Sequence, residues 1–435
     1  MELQSAIVLV ILFAITLALK VPVSFSIITS SLVTIIMFLT PKFGMFISAQ
    51  KLVTGIDSFS LLAVPFFILA GQLMSSGGIA KRIINLAMLV LGRVPGSLAL
   101  ANIAGNGLFG SLSGSGIAAA TAIGGVLNPM EKEQGYDEGF SAATNIATAP
   151  VGQLIPPTNA PIVYSAAAGG TSVATLLMAG WIPGILWALV CMIVAFVYAQ
   201  KHGYIVRKTE RTSAKEAFKI VLDAVPSLFM IVIIIGGILS GVFTPTEASG
   251  IAVIYAFILA VFVYRSIPLS KIKKVLVDAG VMTTIIMLII GASSVLSFVL
   301  SFTGLPQAIS NALLGISHNK VVILLLVNII LLVVGTFMDM APALMIFTPI
   351  LLPVVKSVGM DAVQFGVMMI MNLAIGTVTP PVGSVLFVGC SVANLKIERV
   401  MKNLVPYFAA IIVMLLFVTF VPAVSEWLPK AFGMM

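Results

Sequence analysis

The sequence predicts an all-α polytopic membrane protein built as two inverted repeats, each with a re-entrant helical hairpin and a proline-broken helix. Four observations predict it. Of 435 residues, 60% are hydrophobic and 9% charged, too few charges to cover a water-soluble globule. Apolar stretches long enough to cross ~30 Å of hydrocarbon recur along the chain, which favours helices over the alternating pattern of an outer-membrane barrel. The chain also repeats itself: Pro129 and Pro353, Gly135 and Gly359, Asp137 and Asp361, Gly152 and Gly376, Pro156 and Pro380, and Pro157 and Pro381 all stand 224 positions apart. Finally, with the polar connector from Lys201 to Lys219 placed in the cytoplasm and the spans threaded outward, 18 lysines and arginines fall on the cytoplasmic side and five outside. That is the bias that orients membrane proteins, and it inverts the two halves.

In chain order, "MELQSAIVLVILFAITLALK" carries Glu2 and no basic residue ahead of its apolar run, so it reads as the first span, near 3–19, and not as a signal peptide. Spans near 22–40 and 57–77 follow. "GGIAKRIINLAMLVLGR" is amphipathic and reads as interfacial. Residues 95–129 hold two apolar arms, each too short to span, around an "SGSG" tip, the pattern of a re-entrant hairpin. Residues 138–170 contain Pro156 and Pro157; each proline removes a backbone donor and clashes with the carbonyl one turn back, so this helix is broken. A span at 172–200 and the connector 201–219 close the first half. The second half repeats the plan: spans near 218–241, 246–266 and 279–302, an interfacial piece 303–318, a hairpin 320–355 with tip "FMDMAPA", a broken segment 362–390 and a last span 402–424. Both termini come out extracytoplasmic.

The broken segments carry the functional expectation. Pro156 and Pro157 free the carbonyls of Gly152 and Gln153; Pro380 and Pro381 free those of Gly376 and Thr377. Irregular backbone at membrane depth persists only where it is buried in protein or faces a watered cavity. Hard cations take oxygen ligands, so sodium is one natural partner, and the half-helices that restart after each break favour an anion at their N-termini. The alternative is that each proline pair only kinks a packed helix. The first tip offers Ser111, Ser113 and Ser115, which read equally well as small residues for close packing. Asp339 stands 224 positions after Ser115 and is the only charged side chain between Lys320 and Lys356. An acidic residue there marks a functional site unless it holds its own hairpin together. Asn106, Asn145, Asn159 and Asn372 read as interhelical glue.

Other chemistry is missing. No GxxxxGK[ST] loop exists to hold nucleotide phosphates. His202 and His318 have no partner at metal or nucleophile spacing, and Cys191 and Cys390 read as small core residues with no disulfide or metal. The net charge of +8 reports topology and does not imply nucleic acid. The chain is expected to be no enzyme and to bind no organic cofactor; solute transport driven by an ion gradient remains.

Six ordered motifs, "DSFSLLAVPFFILAGQLMSSGGIAKRI" (57–83), "GSLSGSG" (110–116), "IPPTNAPIVY" (155–164), "TPTEASG" (244–250), "FMDMAPALMIFTPILLP" (337–353) and "GTVTPPVGSVLFV" (376–388), resemble the large membrane subunit of tripartite ATP-independent periplasmic (TRAP) transporters, over nearly the whole chain. The resemblance implies an elevator-type, sodium-coupled importer of organic acids, such as sialic acid or C4-dicarboxylates, in a bacterial inner membrane. Its implied partners are a small four-helix membrane subunit and a periplasmic substrate-binding protein. The implied division is scaffold with interfacial arm over 1–94 and 220–318, and transport domain over 95–200 and 319–435.

By motif, one sodium site would use Ser113, Ser115, Gly152, Ile155 and Pro157, and a second Gly335, Gly376, Thr379 and Val382. Thr158, Asn159, Asp339, Gly383 and Ser384 are the substrate-binding candidates. The chain departs from the family pattern "GPIIPPS" with Gln153 in place of the inner proline and Thr158-Asn159 after the pair, changes that bear on which acid is carried. The competing expectations are a stand-alone sodium/carboxylate symporter and an anion channel.

Overall fold

The computed structural model describes residues 2–38, 40–204, 213–317 and 319–435. His318 and the centre of the connector, with Arg207, Lys208 and Arg211, lie outside the described residues. Among those described there is no strand.

The helices of the first half are α1 (Glu2–Ala18), α2 (Val23–Phe38), α3 (Pro41–Thr54), α4 (Ala63–Ser76), α5 (Ile79–Leu91), α6 (Ser97–Ser113), α7 (Gly116–Glu133), α8 (Glu138–Thr148), α9 (Ala160–Ala167), α10 (Val173–Ala179) and α11 (Trp181–Lys201). Those of the second are α12 (Ala214–Leu239), α13 (Pro245–Phe257), α14 (Leu269–Thr303), α15 (Leu305–Ile316), α16 (Lys320–Phe337), α17 (Met340–Ser357), α18 (Ala362–Gly376), α19 (Ser384–Ala393), α20 (Ile397–Phe420) and α21 (Ala423–Ala431). Eight helical segments among the described residues are long and apolar enough to cross a membrane.

The duplication extends to element boundaries. α7 and α17 begin at Gly116 and Met340, α8 and α18 at Glu138 and Ala362, α9 and α19 at Ala160 and Ser384, α10 and α20 at Val173 and Ile397, each pair 224 positions apart. The paired motifs "GYD" and "GMD" are the punctuation that sets two of these boundaries. Gly135 (φ +81°) and Gly359 (φ +77°) take the left-handed conformation that ends a helix. Two residues on, Asp137 and Asp361 cap the next one, accepting from the N–H of Phe140 at 2.8 Å and of Val363 at 2.7 Å.

Helices pack in two groups. In one, α4 lies on α13 and α14, and α14 also on α2 and α3; in the other, α8 and α18 form the centre, wrapped by α6, α7, α16, α17 and α20. In α8 every residue from Gly139 to Thr148 is buried, and in α18 every residue from Val363 to Gly376. The repeats interlock inside this second group, since α7 packs on α19 and α17 on α9. The arms α5 and α15 run between the groups: α5 packs on both α12 and α6, α15 on both α14 and α17. Arg82 fastens α5 to its own group, donating to Asp223 at 3.1 Å and lying 3.7 Å over the Tyr264 ring.

Several boundaries differ from the sequence reading. α3 fills the stretch between the spans expected near 22–40 and 57–77, where Lys42, Gln50 and Lys51 dilute the apolar character. α14 starts ten residues before the expected 279 and is 35 residues long, ~52 Å at 1.5 Å per residue. Lys271, Lys273 and Lys274 therefore stand on a helix that outruns ~30 Å of hydrocarbon and do not mark its end. α12 starts inside the expected connector, where Ser213 and Glu216 form a reciprocal capping box. α21 follows the last expected span.

Candidate functional site

Both hairpins turn in two residues. In the first, Gly114 takes φ +66° and Ser115 caps α7, its Oγ accepting from the Ala118 N–H at 3.2 Å. α4 comes up against this turn at Gly71, where a Cβ would lie 2.8 Å from the Ser113 carbonyl oxygen. In the second hairpin Asp339 occupies the cap position of α17, but its side chain makes no capping bond and is exposed. The carboxylate is thus free of the structural task that Ser115 performs at the matching place.

The glycines at the breaks are where backbone meets backbone. A Cβ on Gly152 would lie 2.2 Å from the carbonyl carbon of Gly110 on α6, and a Cβ on Gly376 2.4 Å from that of Gly335 on α16. Only glycine fits such an approach. Beyond it the chain turns through Pro156-Pro157 and Pro380-Pro381, both cis.

Three of the four carbonyls freed by the prolines find donors within the protein. Gln153 O accepts from Thr158 Oγ1 at 3.0 Å. Gly376 O accepts from the Thr379 N–H at 3.0 Å, and Thr377 O from the N–H groups of Val385 and Leu386 at 3.0 and 3.2 Å. The two breaks reach the same end by different means. Pro161 stands 224 positions before Val385 and has no N–H to give, so the Thr158 hydroxyl takes over in the first repeat, where the second has Val382. These bonds also take up part of the first turn of each restarting half-helix. Val385 and Leu386 are engaged by Thr377 O, and Ile162 and Val163 by Asn159 O at 3.1 Å.

Tips and breaks enclose a cavity of about 290 Å³. Its wall brings together Ser113, Ser115, Asn159, Asp339 and Ser384 from the predicted set. Gly152, Ile155, Pro157, Thr158, Gly376, Thr379, Val382 and Gly383 belong to the breaks, and Gly335 lies on α16 against Gly376; none of these is in the wall. The Ile155 side chain packs against Gly184 of α11, so only its backbone is available as a ligand. Val382 is 47% exposed. Sequence reasoning missed the other face of the cavity, Gln72 and Ser75 of α4 and an apolar stripe of α14 that includes Ile286. A glutamine inside an apolar span was the available signal for Gln72. Gln153, singled out in the sequence as a departure beside the break, and its equivalent Thr377 both reach the wall.

Asp339 is the only charged residue in the lining, which contains no lysine, arginine or histidine. Gln153 Oε1 and Asn159 Oδ1, on residues of this wall, are buried acceptors without partners. Asn159 therefore differs from the other asparagines, which do act as glue. Asn106 Nδ2 donates to Asn145 Oδ1 at 3.1 Å and Thr148 Oγ1 at 3.0 Å, and Asn372 Nδ2 to Asn328 Oδ1 at 2.8 Å.

This duplicated, broken-helix architecture has relatives. The YdaH transporter of Alcanivorax borkumensis, a solved structure, superposes with a TM-score of 0.60 at 13% identity, covering 90% of this chain and 89% of that one. In sequence the chain is 49% identical to the protein YgiK of Salmonella typhimurium over 97% of this chain and 96% of that protein. It is 37% identical to the sialic acid TRAP transporter large permease protein SiaM of Vibrio cholerae, over 94% and 95%. Residues 10–424 match the family described as "Tripartite ATP-independent periplasmic transporter, DctM component". With both hairpins, both breaks and nearly the whole length accounted for by one family, the chain belongs to the DctM components, the large permease subunits of TRAP transporters, and is a multi-pass membrane transport protein and not an enzyme.

Proposed function

We propose that this permease imports an organic acid across a bacterial inner membrane, coupled to sodium, with both termini periplasmic. A periplasmic binding protein delivers the acid and a small four-helix subunit braces the scaffold. The observation that carries the reading is the cavity: the tips and breaks of both repeats form one side and α4 and α14 the other. A site shared between two packing groups can change its access when one group slides against the other, the elevator mode. The hydroxyl and backbone oxygens of the tips and breaks suit sodium. One ion would sit at Ser113, Ser115 and the Gly152 break, a second at the Gly335–Gly376 break with Thr379. The family's periplasmic partner and the sialic acid named for the Vibrio relative support a delivered organic acid.

Uptake in proteoliposomes holding this chain, the small subunit and the binding protein tests the proposal. Uptake is expected to require an inward sodium gradient, with Ser115→Ala raising the sodium concentration for half-maximal uptake and Asp339→Asn lowering the rate. Sodium-independent uptake overturns the coupling. Uptake without the binding protein points to a stand-alone symporter, and large unsaturable currents to an anion channel.

A further inference from the structure

The first repeat ends its hairpin on a polar cluster that the second repeat lacks. Glu131 lies in the last turn of α7, outside the eight candidate spans and beside exposed Lys132 and Glu133. It is itself fully buried, and neither carboxyl oxygen has a hydrogen-bond partner. Asn128, three residues earlier and so on the same helix face, has both amide atoms buried and unpartnered. So is the hydroxyl of Ser141 on α8, which faces the carboxyl and favours its charged form without reaching a full hydrogen bond. Buried polar atoms nearly always have partners, and a buried carboxyl facing an equally unpartnered hydroxyl needs a reason. Packing does not supply it. The residues 224 positions on are Leu352, Val355 and Phe365, all buried, so the same fold fills the same place with apolar side chains.

The surroundings narrow what the cluster can hold. The groups that feel the carboxyl's charge are Tyr136 after α7, Tyr204 after α11 and Tyr407 on α20. Asp137 lies beside Tyr204, its N–H donating to the Tyr204 hydroxyl at 2.9 Å, and Lys132 turns outward to Glu138 at 3.2 Å. No cation is among them. A buried carboxylate without a counter-ion is costly, and a proton neutralises it while needing no room. We propose that Glu131 is a proton-binding site at the foot of the first hairpin, with Ser141 as the hydrogen-bonding partner of the protonated acid.

The carboxylate takes its proton from the water that wets Lys132 and Glu133 and returns it there. Protonation gives the acid an O–H that donates to Ser141 Oγ, the side chain facing it. Burial, the dominant cause, pushes the carboxyl up to about 8. A carboxyl raised in the folded state holds a proton that the unfolded chain releases, so folding stability falls as pH rises from about 4.5 to about 8 and is level above that.

Infrared spectroscopy of the full-length purified chain and of Glu131→Gln tests this, independently of what the protein carries. Wild type is expected to show the carbonyl stretch of a protonated carboxyl that disappears as pH is raised through about 8 and that Glu131→Gln lacks throughout. The melting temperature of Glu131→Gln should exceed that of wild type by a margin that widens up to the same pH and then stays constant. A band retained in Glu131→Gln, or melting curves that run parallel across the range, overturns the proposal. Should Glu131→Gln not fold, Glu131→Val, the residue the second repeat carries, takes its place with the same two readouts.

Discussion

Thr158 shows how one residue compensates for another. Its hydroxyl satisfies Gln153 O because Pro161 cannot, and the second repeat, with Val385 in that register, needs no hydroxyl at Val382. Thr158→Val should therefore leave a buried carbonyl unpaired and lower stability by ~1–3 kcal/mol, whereas Thr158→Ser keeps the donor. Thermal unfolding of the two variants checks this, and equal melting temperatures would remove the role. The freed carbonyls were legible in the sequence, because the consequence of a proline four residues on is local. Who fills them was not. That depends on which N–H groups the next half-helix turns toward the break, and the chain must fold back for that to be decided.

At the scale of elements, the "GYD" and "GMD" motifs are a helix stop followed by a helix start, and they hold the two repeats in register. Asp361→Ala loses one cap and should cost ~1 kcal/mol. Asp137→Ala should cost more, since Asp137 also accepts from Asn403 Nδ2 at 2.9 Å. Denaturation of both variants under one condition gives the comparison, and an equal or reversed order counts against the second bond. Hairpins, breaks and arms were all readable from apolar period, proline and glycine. α3 and the start of α14 were not, because a helix that runs out into water looks like a loop to a hydropathy count. The "SGSG" tip could be read as ligand or as packing; in the structure Ser115 caps α7, and Ser113 and Ser115 reach the cavity wall.

For the whole molecule, the decisive feature is that one cavity is closed by two packing groups. Ile286 contributes to it from α14. Ile286→Trp should fill the space and abolish uptake while leaving the melting temperature near that of wild type, since the added bulk enters a void and not a packed core; normal uptake would place the substrate elsewhere. The sequence by itself determined that this is a helical membrane protein, that it is duplicated at one offset, and that its breaks fall at Gly152 and Gly376, because hydropathy, prolines and caps act within a few residues of themselves. Only the tertiary structure decided that α4 and α14 supply the far wall, that Thr377 O takes up the N–H groups of Val385 and Leu386, and that the Glu131 side chain is buried. Each of these depends on segments meeting in space as the chain folds back, and no local pattern records such a meeting.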